Sequence, residues 1–139
     1  VDGAYAAGSV PPPSDELWGC LQKLGIDMTL LDKTADGKEQ DSVDMSLQTN
    51  MFRVALDNIP DTMALLTGDG AGSALGKGFL SDLERIHNKL GWKIEVYAWE
   101  KTCNRKLKEF ANSNGIFVPL ENHYYSITFL KGLRYASPL

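Results

Sequence analysis

The sequence predicts one α/β domain, a three-layer, Rossmann-like fold with a mainly parallel central sheet and helices on both faces. Short apolar stretches typical of buried strands alternate along the chain with stretches that are apolar at helical spacing. The chain has 139 residues, 43% of them hydrophobic, which suffices for a single domain with a proper core. Strands that alternate with helices in this way usually form a parallel sheet covered by helices.

The first half of the chain predicts two strands and two helices. Residues 1–3 indicate the end of a first strand, as though its beginning had been trimmed. Prolines and glycines mark the loops, and a carboxylate or hydroxyl marks each helix start. The predicted order begins with a loop from Gly8 to Pro13, a helix capped by Ser14 and closed by Gly25, and a strand over 26–31. A polar loop then leads to a helix from Asp41 or Ser42 to Asn58. The apolar stripe of this second helix consists of Val43, Leu47, Met51, Val54 and Ala55.

The second half repeats the alternation more clearly. An apolar strand over 63–67 runs into a loop, residues 68–78, that contains five glycines. Alternating side chains then predict a strong strand over 92–99. The remaining elements are a helix from Phe79 to Leu90, a helix over 104–111, a strand over 116–120 and a last strand over 126–130.

Four acids fall at predicted strand ends or helix starts: Asp2, Asp44, Asp69 and Glu121. Ligands of open α/β sheets bind beyond the carboxyl ends of the strands, so we expect Asp2 and Asp69 there, with Asp44 in reach from a helix start. Carboxylates held together repel, and a hard cation such as Mg²⁺ or Mn²⁺ relieves that repulsion. Each acid also has a local explanation, as a turn residue or a first-turn helix acid.

The glycine-rich loop does not match a nucleotide-binding motif. A P-loop needs a hydroxyl residue after Gly-Lys, whereas Gly78 follows Lys77, and the glycine spacing also differs from GxGxxG. The glycines therefore favour a loop whose backbone approaches a ligand or moves as a lid. A hydrolase triad is not indicated either, since the chain has no nucleophile-elbow sequence beside His87 or His123.

Charge and cysteine content limit the setting in which the protein works. Residues 1–70 carry 4 Lys and Arg against 12 Asp and Glu, whereas residues 71–139 carry 10 against 6. An acidic half and a basic half suit a site that binds cations and faces a polyanion, although ordinary surface charge explains the numbers equally well.

Cys20 and Cys103 are far apart, which favours free thiols in an intracellular compartment, cytoplasmic or nuclear. No stretch is apolar enough for a membrane span, and the start shows no signal-peptide pattern.

Five segments, taken in order, resemble one known family. No single motif is decisive, but their order and spacing are specific, and the resemblance covers nearly the whole chain. They are Val-Asp-Gly at 1–3, Lys-Glu-Gln-Asp-Ser-Val-Asp at 38–44, Leu-Leu-Thr-Gly-Asp-Gly at 65–70, the strand-forming segment 91–99, and Leu-Glu-Asn-His-Tyr-Tyr-Ser-Ile-Thr-Phe at 120–129. In this order the chain resembles the NYN domains, a branch of the PIN-like nucleases.

The resemblance implies a PIN fold and, where family members are active, metal-dependent ribonuclease action by a cluster of acids. Asp2, Asp44 and Asp69 match acids of the family pattern, and Glu121 falls where some members have Asp after an apolar residue. One position departs from that pattern. Many members carry a second acid two residues after the first, where this chain has Ala71.

The leading hypothesis is a metal-dependent endoribonuclease that cleaves single-stranded RNA. Asp2, Asp44 and Asp69 would be catalytic, and with Glu121 they would be the ligands of Mg²⁺ or Mn²⁺. The residues expected to meet RNA are Lys77, Lys101, Asn104, Arg105 and Lys106, of which Asn104 could equally be a helix cap. Ala71 favours a rival, a degenerate module that binds RNA or a protein partner, or forms a homodimer. A nucleotide-binding enzyme remains a third option on fold class alone.

Overall fold

The computed structural model describes residues 3–9, 16–32, 41–67 and 78–128. The chain divides into two compact units, Val1–Asn58 and Ile59–Leu139. Each unit contains a parallel sheet with helices packed on it, which confirms the predicted α/β class. The organisation of the whole chain as one domain stays a prediction. No helix in the described ranges is long and apolar enough to cross a membrane.

The first unit is built on two parallel strands and two helices. Strand β1 pairs with β2 in a register that runs from Tyr5 opposite Asp27 to Ser9 opposite Leu31. The elements are β1 (Tyr5–Ser9), α1 (Glu16–Lys23), β2 (Asp27–Leu31) and α2 (Asp41–Asp57). The predicted N-cap, Ser14, lies outside the described residues.

Strand β1 corrects two predictions, a first strand ending at residues 1–3 and a loop beginning at Gly8. The strand begins at Tyr5, so Asp2 precedes it in the chain and does not follow its carboxyl end. Gly8 is extended and buried within the strand, and a Cβ atom there would lie 2.4 Å from the Cη2 atom of Trp18 on helix α1. The glycine is therefore needed for close packing of an indole ring and not for a turn. A glycine shortly before three prolines looks the same in the sequence whether it ends a strand or begins a loop, so the sequence favoured the wrong structure.

Helix α2 packs against both strands of the first unit through one stripe of side chains. Val43, Met51 and Ala55 are buried, as the helical spacing predicted, but Val54 is 38% exposed, and its place in the stripe was wrong. A hydroxyl cluster adds to this packing. The Tyr5 hydroxyl donates to Thr29 Oγ1 at 2.6 Å and lies 2.8 Å from Ser46 Oγ, so Ser46 must be the donor in the second bond. These bonds join β1, β2 and α2.

The second unit is a three-stranded parallel sheet in the order β3-β4-β5, with two helices against it. Its elements are β3 (Thr62–Leu66), α3 (Phe79–Leu90), β4 (Lys93–Ala98), α4 (Arg105–Asn114), β5 (Gly115–Pro119), a 3₁₀ turn (Leu120–His123) and α5 (Tyr124–Ile127). The predicted last strand over 126–130 is wrong for its first residues, since Ile127 ends a helical turn. Phe129 and Leu130 lie outside the described residues.

The core of the second unit surrounds the central strand. Ile94, Val96 and Ala98 alternate along β4, and none is more than 1% exposed. Helices α3 and α4 contact β4 and each other, and they supply Leu83, Ile86 and Leu107, which are fully buried. The other residues of β4, such as Glu95 and Tyr97, are only partly buried, and the Tyr97 hydroxyl donates to Glu95 Oε2 at 3.0 Å.

Helix α3 ends in a set of backbone and side-chain bonds that fix the start of β4. Gly91 has a φ of 78°, the left-handed conformation favoured by glycine, and its N–H donates to the His87 carbonyl at 3.1 Å. His87 Nδ1 lies 2.8 Å from the Trp92 carbonyl, so this nitrogen carries the proton. The imidazole also meets the ring of Phe110 on α4 edge-on. His87 is thus half-buried and holds α3, β4 and α4 together.

Gly115 allows β5 to follow α4 without any linking residue. A Cβ atom at this position would lie 1.9 Å from the carbonyl oxygen of Ile94, its partner in the β4–β5 register. The φ of −170° is ordinary extended backbone, so the requirement is space and not conformation. No side chain can be accommodated here unless the two strands move apart.

We predict that Gly115→Ala destabilises the second unit by about 1–3 kcal/mol or more, because the added methyl group collides with backbone that cannot rotate away. The measurement is the midpoint of urea unfolding. Ser113→Ala is the control, since Ser113 is exposed on α4 and alanine favours the helix. Equal midpoints for Gly115→Ala and Ser113→Ala would show that the strand contact is not a constraint.

Candidate functional site

The carboxyl ends of β4 and β5 bring two segments to one edge of the second sheet. Ala98 lies opposite Pro119 in the parallel register, so the chain leaves both strands at the same level. The loop 99–104 follows β4, and the 3₁₀ turn follows β5. Ligands of parallel α/β sheets bind at edges of this kind, where loops carry the functional side chains.

Glu121 joins these two segments. Its Oε2 atom accepts a hydrogen bond from the Glu100 N–H at 2.9 Å, and its Oε1 atom lies 3.4 Å from the Lys101 N–H. The bond from Glu100 is the main reason that the pKa of the Glu121 carboxyl lies below its usual range, with smaller contributions from its own N–H and from the N–H and charge of Lys101. The carboxylate is therefore ionised at neutral pH, and it clamps the loop to the turn.

The loop is also fixed from its other end. The Thr102 and Cys103 N–H groups donate to the Trp99 carbonyl at 3.2 and 2.9 Å. Asn104 Oδ1 accepts from the N–H groups of Lys106 at 3.0 Å and Leu107 at 3.4 Å, which makes Asn104 the N-cap of α4. Of the two roles considered for Asn104 from the sequence, the cap is present, and its contact with RNA stays a prediction.

Basic side chains surround the loop and the start of α4. Arg105 Nε lies 3.4 Å from Glu109 Oε1, but both side chains are largely exposed and the pair contributes little. Lys108 forms an ion pair with Glu100, and its Nζ atom lies 5.6 Å from the ring centroid of Phe117. Lys101 and Lys106 are exposed and form no ion pair with another described residue.

Three aromatic rings lie at the same edge, and the sequence analysis gave them no role. Trp99 and Tyr124 meet edge-to-face with centroids 6.3 Å apart, and Tyr124 meets Tyr125 in the same manner at 5.4 Å. Tyr124 is 50% exposed and Tyr125 is 78% exposed. The sequence signal that could have found them is a pair of adjacent tyrosines shortly after one predicted strand, together with a tryptophan at the end of the strand that pairs with it.

Comparison with known proteins identifies the family. A family model for the NYN domain matches residues 2–121. The chain belongs to the NYN domain family. A crystal structure of a protein of unknown function from Vibrio parahaemolyticus RIMD 2210633 has a similar fold, with a TM-score of 0.58 and 19% sequence identity over 85% of this chain and 68% of that one. Among curated proteins, the comparison finds no match.

Family membership identifies the chain as a PIN-like, nuclease-type domain associated with RNA. PIN-like nucleases usually use divalent metals, and the carboxylates Asp2, Asp44, Asp69 and Glu121 are the donor type that such ions prefer. Asp44 lies in the first turn of α2 and is exposed. Each Glu121 oxygen accepts one N–H bond and retains a second lone pair, so its part in metal binding stays a prediction.

Three predicted site residues, Asp2, Asp69 and Lys77, lie outside the described ranges, and so does Ala71, where the family pattern has an acid. Within those ranges, no group of three or more His, Cys, Asp or Glu side chains is placed to hold a metal ion. The metal ligands and the phosphate contacts of this NYN domain therefore stay predictions, and the described part of the site is the loop, the clamp and the aromatic rings.

We predict that Glu121→Gln frees the loop after β4, since a carboxamide has one acceptor oxygen and no charge. Amide exchange at Glu100 and Lys101, followed by NMR at neutral pH, should become faster than in the wild type. Glu109→Gln, an exposed change on α4, is the control and should leave both amides unchanged.

The same clamp should depend on pH. Because the Glu121 pKa is lowered in the folded protein, the carboxylate stabilises the fold above the usual carboxyl pKa, and this contribution is lost as the pH falls through the lowered value. In the wild type, the Glu100 amide shift should show a step in that acidic window which is absent from Glu121→Gln. A Glu100 amide that titrates identically in both proteins would rule out the clamp.

Proposed function

We propose that this NYN domain is a metal-dependent endoribonuclease that cleaves single-stranded RNA. The observation that supports this most is the family match over residues 2–121, which spans all four candidate acids. The family is nuclease-type and associated with RNA, and the basic second half of the chain suits a polyanionic substrate.

In this proposal, Asp2, Asp44 and Asp69 hold Mg²⁺ or Mn²⁺. The bound ion supplies an activated water and stabilises charge on the phosphodiester, so no protein nucleophile is required. Glu121 is the fourth candidate ligand, but we assign it first to holding the loop, because two backbone amides use its oxygens.

The basic residues hold the substrate in this scheme. Lys101, Arg105 and Lys106 lie on or beside the loop after β4, and each is exposed. Their positive charges would neutralise phosphates on either side of the cleaved bond and fix the strand, without reading its sequence. Lys77 is the fourth residue that we propose for this role.

A second candidate function rests on Ala71. Many NYN domains have an acid at this position, and its absence removes one expected donor for a metal. A domain of this kind could retain RNA or a protein partner and have lost cleavage. The two candidate functions differ in metal affinity, so they can be separated directly.

We predict that Mn²⁺ supports cleavage of single-stranded RNA and that Asp44→Asn and Asp69→Asn each lower the rate more than about a hundredfold. Loss of residues that merely support metal ligands already costs about 10- to 100-fold. Asp57→Asn, an exposed change at the end of the same helix as Asp44, is the control and should cleave normally. Equal rates for Asp69→Asn and the wild type would exclude the proposed chemistry.

Calorimetric titration with Mn²⁺ should separate the two candidate functions without relying on catalysis. A nuclease should bind the ion with millimolar or tighter affinity, and Asp44→Asn should weaken that binding while Asp57→Asn preserves it. Heats no larger than those of dilution, with RNA binding retained, would instead favour the degenerate module.

A further inference from the structure

We propose that Trp99, Tyr124 and Tyr125 form a stacking surface for unpaired bases, with Lys101 and Lys106 contacting the phosphates of the same strand. We call these three rings the aromatic edge. This inference deepens the proposed function, because it rests on RNA as the partner and assigns the residues that would select unpaired over paired strands.

The arrangement of the rings leaves flat surfaces available for bases. The Trp99–Tyr124 planes meet at 69° and the Tyr124–Tyr125 planes at 85°, so each contact uses the edge of one ring and a face of the other. Tyr125 is 78% exposed, although burial of a tyrosine ring would remove a large apolar area from water. Bases stack on exposed aromatic rings with little sequence preference, because every base has a flat π face.

The aromatic edge is held in place before any ligand arrives. Glu121 bonds the turn before Tyr124 to the loop after Trp99, and the Trp99 carbonyl accepts two further N–H bonds from that loop. The Thr128 N–H also donates to the Tyr124 carbonyl at 3.0 Å, which closes helix α5. Because the backbone that carries the rings is already ordered, binding pays less conformational entropy for it, and more of the stacking energy remains as affinity.

The charges beside the aromatic edge suit a polyanion such as a phosphate backbone better than a basic or neutral partner. Residues 99–128 contain four basic residues and three acids. Each acid is engaged: Glu100 with Lys108, Glu109 with Arg105, and Glu121 with two amides. Lys101 and Lys106 make no ion pair within the described residues, so their charges are available to a polyanion.

The test is the affinity of a fluorescent single-stranded oligonucleotide for the full chain, measured by anisotropy in EDTA so that nothing is cleaved. Tyr125→Ala should weaken binding by about fivefold to a hundredfold, the usual effect of removing one stacking ring. Tyr125→Phe retains the ring and should stay within about twofold of the wild type. Ile59→Ala, which removes an 87% exposed side chain elsewhere in the second unit, is the matched control.

Two further results decide the proposal. A duplex of the same sequence should bind more weakly, and Tyr125→Ala should reduce that difference by the same factor by which it weakens single-strand binding, because paired bases cannot stack on protein rings. The proposal is overturned if the wild type does not bind single strands, if Tyr125→Ala binds as tightly as the wild type, or if only a protein partner competes for the edge. Because EDTA excludes cleavage, these outcomes are independent of Mn²⁺-dependent activity and of Asp69→Asn.

Discussion

Strand β4 pairs along both edges, and the rest of the second unit depends on that double pairing. Its backbone N–H and C=O groups bond to β3 on one side and to β5 on the other. Ile94, Val96 and Ala98 can therefore be buried without leaving backbone groups of this strand unpaired. A slip of one residue would turn all three out of the core. The register is therefore strongly determined, and Gly115 is required because β5 must approach the Ile94 carbonyl closely.

The same register determines which residues meet at the carboxyl edge. Since Ala98 lies opposite Pro119, Trp99 and the 3₁₀ turn leave the sheet together, and Glu121 reaches the amides after Trp99. A carboxylate in this position has two compatible uses. It can bind a cation, as the family pattern suggests, and it can accept hydrogen bonds from the backbone N–H groups of Glu100 and Lys101. The structure shows these N–H bonds, and the one from Glu100 is the main cause of the lowered Glu121 pKa.

The sequence was a good guide wherever the controlling interactions were local. The alternation over 92–99 predicted β4, and the spacing of Phe79, Leu83 and Ile86 predicted α3 with Gly91 at its end. It failed where the deciding partner is distant. Gly8 suggested a loop because nothing nearby indicates that Trp18 packs against it. The clamp by Glu121 depends on amides 20 and 21 residues away, and the aromatic edge depends on Trp99 and Tyr124 meeting across two strands.

The two candidate functions of this NYN domain share one physical requirement, which is a surface that holds an unpaired strand. Cleavage needs carboxylates that bind a cation, so the alanine at position 71 bears on chemistry alone. Holding a strand needs rings and positive charge, and neither depends on that position. A chain that had lost an acid could therefore retain the aromatic edge under selection for binding. The exposure of Tyr124 and Tyr125 is then expected for an active nuclease and for a degenerate one, and metal affinity is the property that distinguishes them.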